Sequence, residues 1–128
     1  MFKKRIKITL NEEDFIPFAK DLFKEHNYLV LKQSQKLAEE YIKLISQQIK
    51  YRHEHGATFV SFSRYSDKIG EKIYRFFCYG IGDFTIEITA LTEDIVFTYF
   101  RKIGYKIEWQ DSNIRNERQI YVSWNTCK

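Results

Sequence analysis

The spacing of apolar residues changes along this chain between the period of a helix and the period of a strand. Between Ser34, which can cap a helix, and Gly56, which suits a left-handed stop, apolar residues recur at helical spacing. The next segment, ATFVSFSRY (57–65), is rich in the β-branched and aromatic residues that favour strands. Because both periods occur, the chain is predicted to combine helices with a β-sheet. The helical stripe consists of Leu37, Tyr41, Leu44, Ile45 and Ile49.

The first part of the chain carries a strand pattern and then a helix pattern. In FKKRIKITL (2–10) apolar residues alternate with basic or polar ones, which predicts a strand with one buried face. A helix with Asp14 as its N-cap is predicted next, because this start leaves Pro17 in the first turn, where its missing N–H loses no bond. The apolar run YLVLK (28–32) then predicts a short strand before the helix that Ser34 caps.

The second half of the chain predicts more strands and a third helix. KIYRFFCY (72–79) and FTIEITA (84–90) are β-prone and flank a glycine-containing turn, so a meander is expected. Thr92 is the predicted N-cap of the third helix, which ends at Gly104.

A C-terminal hairpin follows the third helix. Its two strands each alternate, with one apolar face that is expected to pack against helices. The predicted fold is therefore one α+β domain over residues 1–128, with a mainly antiparallel sheet, three helices packed on it and helix 3 followed by the hairpin. The apolar faces of the hairpin consist of Tyr105, Ile107 and Trp109 on one strand and Ile120, Val122 and Trp124 on the other.

The composition is that of one stably folded domain. At 128 residues with 44% hydrophobic residues, the chain can bury a core without disulfides or metals. Cys78 and Cys127 lack the number and spacing of a disulfide framework, so reduced thiols in a cytoplasm are expected. No apolar run approaches the about 20 residues that span a bilayer, so we expect no membrane partner.

The helix and hairpin at the C-terminal end raise the possibility of a winged helix bound to DNA. Wings and recognition helices present Lys and Arg to phosphates. The hairpin loop QDSNIRNERQ (110–119) instead sets Arg115 and Arg118 against Asp111 and Glu117, for no net charge. A degenerate winged helix remains an alternative.

A basic patch is a second feature by which the chain can bind nucleic acid. Lys3, Arg5 and Lys7 on the wet face of the first strand, with Arg64 and Arg75 on neighbouring predicted β segments, can form a positive surface for single strands. Lysine-rich outer strands also protect sheet edges from aggregation, so both explanations stay open.

The sequence contains no group of residues typical of an enzyme. His53 and His55 are two positions apart, which on a helix points their rings in different directions, so no metal site is predicted. Gly80 and Gly82 are predicted to lie between two strands, without the third glycine and the helix start of a phosphate loop, and no histidine neighbours Cys78 to activate it. We expect no catalytic residues and no cofactor.

Four segments resemble small α+β accessory proteins encoded by tailed bacteriophages, many of them of unassigned function. These segments are LISQQI (44–49), GATFV (56–60), LTEDIVFTYFRKIGYKIEW (91–109) and IYVSW (120–124), and the resemblance covers about residues 37–124. It implies a viral accessory protein that acts in the cytoplasm of a bacterial host.

The predicted function is non-enzymatic: the protein inhibits or modulates a host or viral protein by direct contact. The alternatives are a nucleic-acid-binding protein and a virion or assembly component that forms homo-oligomers through strand edges. Exposed basic and aromatic residues are the predicted contacts, because such residues dominate many interfaces. They are Lys3, Arg5, Lys7, Tyr28, Arg115, Arg118 and Tyr121.

Overall fold

A long helix, α1 (Glu12–Glu54), begins the fold and runs for 43 residues. The computed structural model describes residues 12–80, 86–111 and 117–125, with side chains from residue 19 onwards. The predicted strand at 2–10 lies outside these residues. After α1, Gly56 adopts a φ of 89°, and the amide of Ala57 donates to the carbonyl of Arg52 at 2.9 Å. The predicted glycine stop is therefore confirmed, because only glycine takes this φ without strain.

The predicted strand at 28–32 and the helix cap at Ser34 are wrong. Both positions lie inside α1, and Ser34 is buried, with its hydroxyl donating to the carbonyl of Ile88 at 3.3 Å. Within YLVLK only Val30 is buried, since consecutive residues of a helix point around its axis. The apolar run is thus spread over several sides of one continuous helix.

Five more elements follow α1 and build a three-stranded antiparallel sheet with the helices. The strand order is β1-β3-β2, so the last strand of the chain lies between the other two. These elements of the described part of the chain confirm the predicted α+β class: there are three helices, and a hairpin follows the third. The elements are β1 (Phe59–Phe62), α2 (Lys68–Tyr79), α3 (Ile86–Lys102), β2 (Lys106–Asp111) and β3 (Arg118–Ser123).

The two strands predicted at 72–79 and 84–90 are wrong. Residues 72–79 belong to α2, and residues 86–90 begin α3, while 84 and 85 lie outside the described residues. In α2 the apolar residues fall three and four positions apart and form one buried face, which outweighs their strand propensity. This buried face comprises Gly70, Ile73, Tyr74, Phe76 and Phe77.

Helix α3 begins six residues before the predicted cap at Thr92. Thr92 is fully buried inside the helix, where its hydroxyl donates to the carbonyl of Ile88 at 2.6 Å. A threonine hydroxyl can bond either to a free amide at a helix start or to the carbonyl four residues back, so its presence alone does not locate the start.

The C-terminal hairpin is confirmed with its predicted faces. Ile107 lies opposite Val122, and Trp109 lies opposite Ile120. Ile107, Ile120 and Val122 are almost completely buried. Strand β1 adds Val60 and Phe62 to the same face, and the helices cover it.

The order of elements is compatible with the winged-helix alternative. Helix, strand, two helices and a final hairpin follow one another, and the third strand pairs with both others. The hairpin follows α3, and five of the six residues between β2 and β3 lie outside the described part.

Tyr41 lies at the centre of the core and carries a buried hydroxyl whose removal can be tested. Its ring is fully buried and stacks on Phe76 with 4.4 Å between ring centroids, but its hydroxyl has no hydrogen-bond partner among the described residues. Because a buried hydroxyl without a partner is costly, Tyr41→Phe should raise the free energy of unfolding at pH 7 by about 1 kcal/mol. Urea titrations of both proteins measure this difference.

The same substitution should change the response to alkaline pH. Burial first, and the charge of Glu40 second, raise the pKa of Tyr41 from 10.0 to about 12. Since the folded-state pKa lies above the unfolded one, stability is fully present below pH 10 and falls as the pH rises towards 12. Tyr41→Phe should lose less stability over this window. A variant that is less stable than the wild type at pH 7 would show that the hydroxyl has a partner.

Candidate functional site

An open pocket of about 390 Å³ lies between the turn before α2 and the second half of that helix. It is lined by two arginines and two tyrosines, Arg64, Tyr74, Arg75 and Tyr79. Paired guanidinium groups beside phenol rings can bind an anion and an apolar or aromatic group together. We therefore take this pocket as the centre of the candidate site.

A tight turn between β1 and α2 positions Arg64. The amide of Ser63 donates to the hydroxyl of Ser66 at 2.8 Å, and that hydroxyl donates to the carbonyl of Ser61 at 3.3 Å. Asp67 then caps α2 by accepting from the amide of Gly70 at 2.8 Å. The turn is closed so tightly that a Cβ at Gly70 would lie 2.7 Å from the Cβ of Ser66. Arg64 therefore projects from a turn whose backbone is held by several bonds.

The buried face of α2 positions Arg75 and Tyr79. Because Ile73, Phe76 and Phe77 face the core, Arg75 and Tyr79 are left on the exposed side of the helix. They are four residues apart, which places both on the same side.

Both pocket arginines are oriented by a carboxylate. Nε of Arg64 lies 3.4 Å from Oε2 of Glu117, and Nε of Arg75 donates to Oε2 of Glu71 at 2.9 Å. The guanidinium of Arg64 also lies over the ring of Tyr65, 5.3 Å from its centroid. The charge of Glu117 is the main cause that raises the pKa of Arg64. Each pocket arginine therefore lies beside a carboxylate on its own side of the pocket.

An aromatic chain connects the pocket to the hairpin. The rings of Tyr79 and Tyr74 are 6.4 Å apart between centroids, and Tyr74 is likewise 6.4 Å from Trp109. The guanidinium of Arg118 stacks over Trp109 at 4.3 Å, while the indole N–H of Trp109 donates to Glu93 at 3.1 Å. A hydrogen bond with Cys78 and then burial raise the pKa of Tyr74, so its ring stays neutral. We call this set the arginine–aromatic surface: Arg64, Tyr65, Arg75, Tyr79, Trp109 and Arg118, together with the buried Tyr74 that packs among them.

The structure places the predicted contact residues in different regions. Arg118 belongs to the arginine–aromatic surface. Tyr28 is exposed on α1, with Nζ of Lys32 5.4 Å from its ring centroid. Tyr121 is half-buried on the outer face of the sheet, where it stacks on Phe59 at 5.6 Å. The remaining four, Lys3, Arg5, Lys7 and Arg115, lie outside the described residues.

Of the predicted basic patch, the structure brings Arg64 and Arg75 around one pocket. The predicted reason, two neighbouring β segments, is wrong because Arg75 lies on α2. Trp109 was predicted on the apolar face of the hairpin, and neither Tyr74 nor Tyr79 was predicted as a contact. The signal that could have found Tyr79 is its position four residues after Arg75, which becomes visible once 68–79 is interpreted as a helix.

Two other features, a metal site and a membrane-spanning helix, can be assessed in the described residues. Among them, no group of three or more His, Cys, Asp or Glu side chains could hold a metal ion. In the same part of the chain, no helix combines the length and apolar character that crossing a membrane requires. Around the pocket, the arginine and tyrosine side chains are suited to binding an anionic and aromatic or apolar group.

Comparison with known proteins identifies no relative of this chain. No family model matches the sequence, and neither a curated protein nor a solved structure matches the chain. The candidate site therefore rests on its own geometry.

Proposed function

We propose that this protein is not an enzyme and that it acts by binding another protein through the arginine–aromatic surface. The observation that carries the proposal is the pocket in which two guanidinium groups and two phenol rings meet. Tyr, Trp and Arg are the residues most enriched where interfaces concentrate their binding energy. The surface consists almost wholly of these three types.

The orientation of the arginines supports this proposal. Each is held through Nε, and a guanidinium has further N–H donors on its terminal nitrogens. A partner carboxylate can bind these donors in the bidentate arrangement that suits arginine. Because the carboxylates of Glu71 and Glu117 already restrict the side chains, less conformational entropy is lost on binding.

The charges and rings of the surface indicate the kind of partner. Arg64, Arg75 and Arg118 give three positive charges, and Glu71, Glu117 and Glu93 give three negative ones, so the group is neutral. A carboxylate beside an apolar or aromatic residue fits the remaining guanidinium donors and the rings. We propose that these groups belong to a segment of a host or viral protein. The resemblance over residues 37–124 supports a phage-encoded accessory protein that inhibits or modulates its partner in the bacterial cytoplasm.

A nucleic acid is the second candidate partner. The element order of a winged helix favours it, as does the stacking of arginines on aromatic rings, which single-strand binders use. The exposed residues Glu87 and Asp94 in the first half of α3 oppose it, because a recognition helix presents its early residues to DNA.

The proposed function can be tested by affinity capture from a lysate of the bacterial host. The wild-type protein and the double variant R64A/R75A are immobilised side by side, with K36A/K43A as a control. The control removes two exposed positive charges from α1 and leaves the surface intact. We expect one protein to be recovered by the wild type and the control and to be lost from R64A/R75A. Nuclease treatment that abolishes recovery would instead favour the nucleic-acid candidate, and equal recovery by all three contradicts both.

A further inference from the structure

The first half of α1 carries an apolar surface that the described part of the chain does not cover. From Ala19 to Leu29 every residue is exposed, and Val30 is the first buried residue among the described side chains of α1. Leu22 is 50%, Phe23 66% and Leu29 53% exposed. A single exposed leucine is ordinary, but several on one helix face are unusual for a monomer.

These residues lie on and beside the stripe by which α1 packs into the core. At 100° per residue, Phe23 falls on the side of the helix that bears Val30 and Leu37, and Leu22 and Leu29 lie about 60–100° around the axis from those two residues. Val30 and Leu37 are buried. The packing face is thus open at Phe23 and covered from Val30 onwards, and Leu22 and Leu29 extend the open surface along its edge. We call Leu22, Phe23 and Leu29 the open stripe.

Helix α3 covers this face only as far as its own first turn. Nε2 of His26 lies 3.1 Å from Oε1 of Glu87, the second residue of α3. The preceding residue, Ile86, is 87% exposed. The apolar surface therefore includes the open stripe and the start of α3.

We propose that a second copy of this chain covers the open stripe, so that two protomers pair through the first halves of their α1 helices. Two arguments select this occupant. The open stripe and Ile86 together expose on the order of 500 Å² of apolar surface per chain, so two copies offer about 1,000 Å², which reaches the lower limit for a specific interface. An isologous pair uses the same patch twice and closes without leaving it exposed.

The charges beside the open stripe also allow self-association. Lys20 and Lys24 are balanced by Asp21 and Glu25, so this stretch is neutral although the whole chain carries +4. Two copies can approach here without net repulsion, whereas the basic remainder of the protein opposes close contact. The pairing involves none of the arginine–aromatic surface and does not depend on the proposed function.

The test is the oligomeric state of matched variants of the full chain. L22E/F23E places two charges on the open stripe, and glutamate preserves helix propensity. Y28E/L31E is the control: both residues are exposed, at 57% and 43%, but they lie on the opposite side of the helix. Sedimentation velocity over a range of concentrations measures the dimer dissociation constant, and circular dichroism checks that the helices are retained.

We expect a wild-type dimer whose dissociation constant rises at least about 100-fold in L22E/F23E, since the symmetric pair loses four buried side chains. The dissociation constants of Y28E/L31E and R64A/R75A should stay within about threefold of the wild-type value, because substitutions at distant sites act independently. A wild type that is monomeric throughout overturns the proposal. So does a dimer that persists in L22E/F23E, or one that the control weakens equally.

Discussion

Replacing Phe76 with alanine is expected to lower the free energy of unfolding by about 4 kcal/mol, which is the usual cost of removing a fully buried phenylalanine. Phe76 has no exposed surface, and its ring lies against Tyr41 at 4.4 Å and Phe77 at 5.0 Å between centroids. The three rings join α1 to α2, so the cavity would open where the helices meet. Since small domains are stable by only about 5–15 kcal/mol, the variant should be close to unfolding at 37 °C.

Urea unfolding followed by tryptophan fluorescence measures this loss. Phe59→Ala is the matched control, because Phe59 is 48% exposed and stacks on Tyr121 on the outer face of the sheet. It should cost less than about 1 kcal/mol, since an exposed ring contributes little burial. Equal losses in the two variants would contradict the position of Phe76 at the centre of the core.

The double variant R64A/R75A is expected to weaken binding of the purified partner about 1,000-fold. Interface arginines of this kind contribute about 2 kcal/mol or more each to the binding free energy. The two losses add as free energies, so their factors multiply in the dissociation constant. Isothermal titration calorimetry of wild type and variant measures the ratio. Both side chains are largely exposed, so folding should be unaffected.

Two further variants determine whether charge alone is sufficient. R64K/R75K keeps both charges but removes the planar donors, and we expect it to recover only a small part of the lost affinity. K36A/K43A, which lowers the net charge equally, should bind within about threefold of the wild type, because distant exposed charges contribute little. If the lysine variant binds as tightly as the wild type, the surface acts only as a positive patch and the proposed carboxylate contact is wrong.

The fold class and the C-terminal third of the fold were predictable from local pattern. In the hairpin, buried apolar residues alternate with outward-facing ones, and a slip of one residue would expose Ile107, Ile120 and Val122, so the pattern determines which face is buried. Gly56 and Gly104 end helices because each has a positive φ, of 89° and 103°, that other residues adopt only with strain.

The middle of the chain was not predictable in the same way. KIYRFFCY contains residues that favour strands, yet it folds as α2 because the contacts of Phe76 and Phe77 with α1 and α3 reward a helix there. Propensity differs by less than about 1 kcal/mol per residue, whereas burial of a phenylalanine contributes about 2–3 kcal/mol, so packing prevails.

The candidate site depends on that same packing. Sequence analysis identified Arg64, Arg75 and Arg118 as exposed cations, since charged side chains are rarely buried. Their meeting with Tyr74, Tyr79 and Trp109 follows from the orientation of α2 against the hairpin.

By itself, the sequence determined that helices stop at Gly56 and Gly104, which face of the hairpin is buried and which side chains must remain in water, because these depend on neighbouring residues and on hydration alone. Only the tertiary structure decided that residues 68–79 form a helix, that α1 is continuous through residue 30 and that the arginines share one pocket with the tyrosines. Each of these depends on contacts between segments far apart in the chain, and the energy of those contacts exceeds the local preference.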